Sequence, residues 1–88
     1  MKNTDLEKSL RAVGNGRRLA ILRLLKAYSK LTVGELAKKI KLSFKSTSRH
    51  LAILFAAGIL DKEQKNLNVF YRISDEANAV IKSIVKNL

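Results

Sequence analysis

Apolar residues recur at helical spacing along the first third of the chain. The stretch from Thr4 to Val13 is predicted to be a first helix, in which Thr4 and Glu7 form a capping box. Gly14-Asn15-Gly16 ends this helix, and Asn15 is a suitable N-cap for the next one. The second helix, from Arg17 to Tyr28, is strongly apolar, so we expect it to lie at the centre of the core.

Two further helices are predicted in the middle of the chain. A second capping box, made by Thr32 and Glu35, begins a short third helix. A fourth helix is predicted over Ser43–Ala57, with its first serine as the N-cap. Gly58 follows it and suits the left-handed backbone conformation just beyond a helix end. Two short helices joined by a tight turn are typical of a helix-turn-helix.

Beyond this glycine the apolar residues change from a helical period to that of strands. Ile59–Gln64 and Val69–Ile73 are predicted to be two strands joined by the polar turn Lys65–Asn68. Lys30-Leu31, in contrast, is predicted only as a short connector. Ser74 is followed by two acidic residues and is predicted to cap a last helix that carries an apolar stripe.

The order of these elements predicts an α+β fold class, mainly α. The predicted architecture is a winged helix-turn-helix made of helices 1–4, a two-stranded β-hairpin wing and a C-terminal helix. Residues 1–88 are expected to form a single winged helix-turn-helix domain, because this length provides only one modest core. A core of that size favours added stability through dimerisation.

Charge and composition narrow the class of partner. The chain has 18 lysines and arginines against 7 acidic residues, a net charge of +11, which attracts polyanions. Nucleic acid is the leading partner, although an anionic membrane or an acidic protein would feel the same field. The sequence has no cysteine, which excludes disulfides and thiolate metal sites. It also shows neither a signal peptide nor an apolar run of the ~20 residues that cross a bilayer, so a cytoplasmic protein without membrane contact is expected.

The fourth helix is the predicted recognition helix for double-stranded DNA. Its inward face is predicted to carry Phe44, Thr47, Leu51, Leu54 and Phe55, and polar and basic residues cluster in the N-terminal half of the other face. Such a helix places its N-terminal residues against base edges in the major groove. An ordinary solvated helix face is the alternative interpretation. The candidate DNA-contacting residues are Ser43, Lys45, Ser46, Thr47, Ser48, Arg49 and His50 in this segment, with Lys62, Lys65 and Arg72 in the wing.

Several short segments carry a family resemblance. They are Arg18-Leu19-Ala20-Ile21-Leu22, Thr32-Val33-Gly34-Glu35-Leu36-Ala37, Ser48-Arg49-His50-Leu51 with Leu54, Ala57-Gly58-Ile59-Leu60 and Tyr71-Arg72-Ile73. With these segments, the chain from Val13 to Leu88 resembles the ArsR family of bacterial and archaeal winged-helix repressors. The resemblance implies a transcriptional regulator, a repressor that binds duplex DNA as a homodimer.

The family fold further implies that the protomers join through their first and last helices. Apolar stripes on both helices agree with this, and burial within one protomer's own core is the alternative use of those stripes. The predicted interface residues are Leu6, Leu10, Val13, Val80, Ile81, Ile84, Val85 and Leu88.

The sequence departs from its relatives at several positions. Many metal-sensing members carry cysteines where this chain has Thr32 and Gly34, so neither a metal site nor another cofactor is expected. His50 is the sole histidine and is expected to contact DNA or to pack locally rather than to act in catalysis. Phe44 replaces a residue that is often polar in relatives. It is predicted to pack against the third helix, with a thymine methyl as the alternative contact.

Three rival functions remain open. A nonspecific architectural DNA-binding protein needs the charge but little base readout. A winged-helix protein interaction module would use the same basic face for an acidic partner. An enzyme is the weakest option, because the chain lacks a phosphate-binding glycine loop, a metal cluster and a recognisable pair of catalytic carboxylates.

Overall fold

The computed structural model describes the backbone of residues 3–88 and the side chains from Asp5 onward. Within residues 3–88, five helices and three strands follow one another. They are α1 (Asn3–Val13), α2 (Gly16–Tyr28), β1 (Lys30–Thr32), α3 (Val33–Ile40), α4 (Phe44–Ala56), β2 (Leu60–Lys65), β3 (Asn68–Ile73) and α5 (Ala79–Lys86). This order confirms a mainly helical winged helix-turn-helix. The capping box predicted at Thr4 lies outside the residues whose side chains are described.

For α2, α3 and α4, local capping interactions set the helix ends where the sequence predicts them. Asn15 Oδ1 accepts hydrogen bonds from two backbone amides in the first turn of α2, at 3.0 and 3.1 Å. Thr32 and Glu35 form the predicted reciprocal capping box at the start of α3. Ser43 caps α4, and Gly58 takes the left-handed conformation beyond it with a φ of 74°.

The sheet has one more strand than the sequence predicts. Lys30-Leu31 belongs to strand β1, which pairs antiparallel with β3 from Lys30 opposite Arg72 to Thr32 opposite Phe70. Strand β3 therefore lies in the middle, in the order β1-β3-β2. Strand β1 therefore connects the base of the wing to the residues that begin α3.

The wing is the β2–β3 hairpin, which turns tightly at Asn66 and Leu67. The two strands pair without interruption from Leu60 opposite Ile73 to Lys65 opposite Asn68. Asn66 adopts a left-handed φ of 59°, which asparagine tolerates better than most residues. The turn therefore closes without a glycine.

The predicted start of the last helix at Ser74 is wrong. Helix α5 begins at Ala79, and Asn78 is its N-cap. Ser74 Oγ instead accepts a hydrogen bond from the amide of Glu76 at 3.1 Å and closes a local turn. The two acidic residues after Ser74 thus lie before the helix rather than in its first turn.

The core draws on every helix and on the sheet. The large side chains that are fully buried include Ile21, Leu22, Leu25, Leu36, Leu51, Leu54, Ile59, Leu60 and Ile81. Three of these belong to α2, which confirms its central place. Val13 and Ile81, which were predicted to form the dimer interface, are buried in this core and are not available to a partner.

Within residues 3–88, no helix combines the length and apolar character needed to cross a bilayer.

Candidate nucleic-acid interface

Helix α4 is held to the domain by its inner face. Leu51 and Leu54 are fully buried, as their helical spacing predicts. Thr47 is also fully buried, and its hydroxyl donates a hydrogen bond to the Ser43 carbonyl at 2.8 Å. Its predicted contact with DNA is therefore corrected, because this threonine closes the first turn of α4 and cannot reach a ligand on the outside.

The opposite face of α4 presents cations and hydroxyls to solvent. Lys45 and Arg49 are exposed, and Ser46 and Ser48 are half-buried between them. The Ser43 hydroxyl oxygen already accepts a hydrogen bond from the backbone amide of Ser46 at 3.1 Å. Two positive charges therefore project from the N-terminal half of this helix beside small hydrogen-bonding groups.

Two aromatic residues predicted for the inner face of α4 are instead largely exposed. Phe44 is 63% exposed, so it is not packed away against α3 as predicted. Phe55 also lies at the surface, and Lys62 of the wing places its ammonium group 4.5 Å from the ring centre. This contact joins the C-terminal end of α4 to strand β2.

The predicted cations of the wing are all exposed, but their surroundings differ. Lys65 stands beside the turn at the tip of the hairpin. Arg72 lies opposite Asp61 in the strand register, with 3.8 Å between guanidinium and carboxylate. That pairing reduces the positive charge that Arg72 offers to an anion. Leu67 is 97% exposed at the very tip.

Arg18 links α4 to the rest of the domain, a role that sequence reasoning did not identify. Its Nε donates to the Ala12 carbonyl at 2.6 Å and its Nη2 donates to the Arg11 carbonyl at 3.4 Å, near the C-terminal end of α1. Its Nη1 donates to His50 Nδ1 at 3.2 Å, on α4. Because arginine only donates, His50 is held as the tautomer with its proton on Nε2. One side chain thus connects α1, α2 and α4.

The protonation of His50 follows from this contact. Burial, together with the positive charges of Arg18, Arg17 and Arg49, lowers the pKa of His50 below its ordinary value of 6.5. The imidazole is therefore neutral at pH 7 and accepts the arginine proton. His50 supports α4 from its edge, and its predicted contact with DNA stays a prediction.

We expect acid to destabilise the fold through this histidine. The unfolded chain takes up a proton near pH 6.5 and the folded chain only at lower pH, so the free energy of unfolding falls as pH drops through 6.5. Urea unfolding at constant salt between pH 7.5 and 5 measures this slope, and His50→Gln should flatten it. The lowered pKa of Glu35 acts in the same direction but below 4.5, outside that window. An equal slope in the variant would contradict this assignment.

A second surface lies where α1 and α5 meet. Asn78 Nδ2 donates to Ser9 Oγ at 3.0 Å and brings the start of α5 against α1. Two apolar residues there are well exposed, Leu10 at 46% and Val80 at 36%. We call the remaining predicted interface residues the α1–α5 surface, which consists of Leu6, Leu10, Val80, Ile84, Val85 and Leu88. Apart from Leu10 and Val80, its members are half-buried.

Comparison with known proteins identifies relatives over most of the chain. Residues 15–62 match the family described as bacterial regulatory protein, arsR family. The HTH-type transcriptional regulator YgaV of Escherichia coli is 33% identical over 79 residues, covering 90% of this chain and 80% of that protein. The transcriptional activator HlyU of Vibrio cholerae is 40% identical over 73 residues, covering 82% of this chain and 67% of that protein.

Solved structures of similar proteins share the whole arrangement. HlyU from Vibrio cholerae superposes with a TM-score of 0.84 at 31% identity, covering 99% of this chain and 92% of that one. The homodimeric winged helix-turn-helix DNA-binding domain of Mb0332 from Mycobacterium bovis gives a TM-score of 0.84 at 25% identity. That match covers 96% of this chain and 75% of the other.

Proposed function

Because the chain belongs to the arsR family of bacterial regulatory proteins, we propose that it is a transcriptional repressor that binds a two-fold symmetric duplex DNA site as a homodimer. The observation that carries this proposal is the outer face of α4. Lys45 and Arg49 project from its N-terminal half, while Leu51 and Leu54 fix the inner face in the core. A rigid helix with exposed cations at its N-terminal end suits the major groove.

In this proposal, different residues read the bases and contact the phosphates. Arg49 has the planar guanidinium that binds the O6 and N7 atoms of guanine with two hydrogen bonds. Lys45 and Lys65 carry point charges that suit phosphates, and phosphate contacts position a protein without reading sequence. Ser46 and Ser48 add small donors beside the arginine. This division predicts a protein whose specificity depends chiefly on Arg49.

Dimerisation is proposed to occur through the α1–α5 surface. Leu10 and Val80 are exposed apolar residues on α1 and α5, two helices that meet at the hydrogen bond between Asn78 and Ser9. A partner that covers this surface removes apolar area from water. In a two-fold dimer the recognition helices would enter successive major grooves, about one helical turn apart.

Selection of bound duplexes from a random pool tests DNA recognition directly. We expect a pseudo-palindromic site to be enriched, and its binding to weaken steeply as salt is raised, because lysine and arginine displace counterions from phosphates. Equal competition by random duplex would instead indicate an architectural protein. Absence of duplex binding even at low salt would contradict the proposal altogether.

Arg49→Ala is expected to reduce discrimination between the selected site and random duplex by about 5- to 150-fold for each protomer bound. Lys65→Ala is the matched comparison, because it removes a cation from the wing rather than a base-reading group. It should weaken binding to both duplexes alike and lower the salt dependence by about one phosphate contact per protomer. Fluorescence anisotropy with the two duplexes measures both quantities. Unchanged discrimination in Arg49→Ala would remove this residue from base reading.

Repression is proposed because a dimer seated on a promoter blocks polymerase by occupancy alone. The expected result is that transcription in vitro from a promoter carrying the selected site falls as protein is added. Increased transcription would contradict repression while leaving DNA binding intact, and would match the activator role named for HlyU.

A further inference from the structure

A cleft of about 280 Å³ separates the start of α4 from the tip of the wing. Phe44 lies on its helix side and Leu67 on its wing side. Val33, Gly34 and Val69 also line it. We call this region the apolar cleft. It opens between the two elements that the proposed function places against DNA.

Phe44 and Leu67 are the unusual residues of this cleft. At 63% and 97% exposure, they are the most exposed large apolar side chains of the part of the chain whose side chains are described. A single exposed apolar residue needs no explanation. Two of them facing the same cleft leave a joint apolar surface uncovered in the isolated protomer.

The geometry of duplex DNA indicates which part of the duplex would lie in the apolar cleft. The major and minor grooves are neighbours separated by one sugar-phosphate strand, so a protein with a helix in one and a hairpin in the other encloses that strand. The carbon atoms of deoxyribose are apolar, while the phosphates are anionic. Each apolar residue has a cation nearby in the sequence: Lys45 follows Phe44 directly, and Lys65 precedes Leu67 by two positions.

We propose that the apolar cleft holds this sugar-phosphate strand, with Phe44 and Leu67 packed on deoxyribose carbons and the leucine entering the minor groove. The inference rests on the proposed function and adds an apolar contact to it.

Replacement of Leu67 by asparagine tests the contact. Leu67→Asn keeps a residue suited to turns and adds no charge. We expect binding to the selected duplex to weaken about 10-fold, while the slope of log Kd against log salt stays unchanged, because apolar contact displaces no counterions. Lys65→Ala is the matched control, because it should change that slope. A weakened variant with a changed slope would overturn the apolar contact.

A second variant fills the cleft from its floor without disturbing the fold. Among the described residues, nothing lies within 4 Å of where a Cβ at Gly34 would stand, and the position is helical. Gly34→Leu should therefore fold at least as stably as the parent, since leucine favours helices over glycine. We expect it nevertheless to bind the duplex at least 10-fold more weakly, because its side chain occupies the space of the strand.

Hydroxyl-radical footprinting supplies a direct readout, because the radicals attack deoxyribose carbons. The parent protein should protect sugars on the strand between the grooves, and Leu67→Asn should lose that protection. Parent-like binding and footprints in both variants would overturn the cleft contact alone and point to another occupant of the cleft. Failure of the parent to bind any duplex would overturn the proposed function and this inference together.

Discussion

Val80→Asp is expected to convert the dimer into a monomer and to weaken binding to the full two-fold site by about 10²- to 10⁴-fold. Val80 is 36% exposed on α5, so aspartate is well tolerated in a free protomer. A partner that covers the α1–α5 surface would bury the new carboxylate without a counter-charge, which is costly. Loss of the second recognition helix then removes the gain from two linked binding events.

Light scattering and fluorescence anisotropy measure the two consequences separately. The variant should keep the parent's weaker affinity for a half-site, because α4 is untouched. Ala79→Asp is the matched control, since it adds the same charge at the neighbouring exposed position, in the first turn of α5, where acidic groups are favourable. A Val80→Asp protein that remains dimeric at micromolar concentration would contradict dimerisation through this surface.

Leu51→Ala is expected to lower the free energy of unfolding by about 2–5 kcal/mol, because Leu51 is fully buried and its loss leaves a cavity beneath α4. A chain of this length has a total stability of roughly 4–13 kcal/mol. The variant should therefore lose a large part of its stability, and its melting temperature should fall by roughly 10 °C or more.

Ile53→Ala serves as the comparison for this loss. Ile53→Ala removes the same number of side-chain carbon atoms from the same helix, but Ile53 is 38% exposed, so we expect a cost below about 1.5 kcal/mol. Thermal unfolding must be followed at one protein concentration, because dimerisation makes the midpoint concentration-dependent. Equal losses for the two variants would show that α4 is not held by the packing described above.

Features that depend on neighbouring residues could be predicted from the sequence. The cap at Asn15, the capping box of Thr32 and Glu35, and the glycine beyond α4 each act within a few residues. Strand β1 is only three residues long, too short to show a period, and its existence depends on pairing with distant β3. The start of the last helix was misplaced because Ser74 and Asn78 are both good N-caps. Only the packing of the turn between them makes Asn78 the cap of α5.

In the candidate site, too, local features could be predicted from the sequence and contacts between distant residues could not. The cations on the outer face of α4 follow from helical spacing, as do the buried Leu51 and Leu54. Helical spacing also groups Phe44 with these leucines, but at the first residue of the helix there is no preceding turn to pack beneath it. The bond between Arg18 and His50 joins residues 32 positions apart, which no periodicity reveals.

That bond has a consequence for how such a regulator can diversify. Arg18 fastens α4 to the end of α1, the helix proposed to pair the protomers. The exposed side chains of α4 would determine which bases are read, whereas the tilt of α1 and its arginine link would determine the separation of the two half-sites. If the proposed function holds, operator sequence and operator spacing would be encoded by different residues, and substitutions at Arg49 would retarget the protein without changing the distance that it spans.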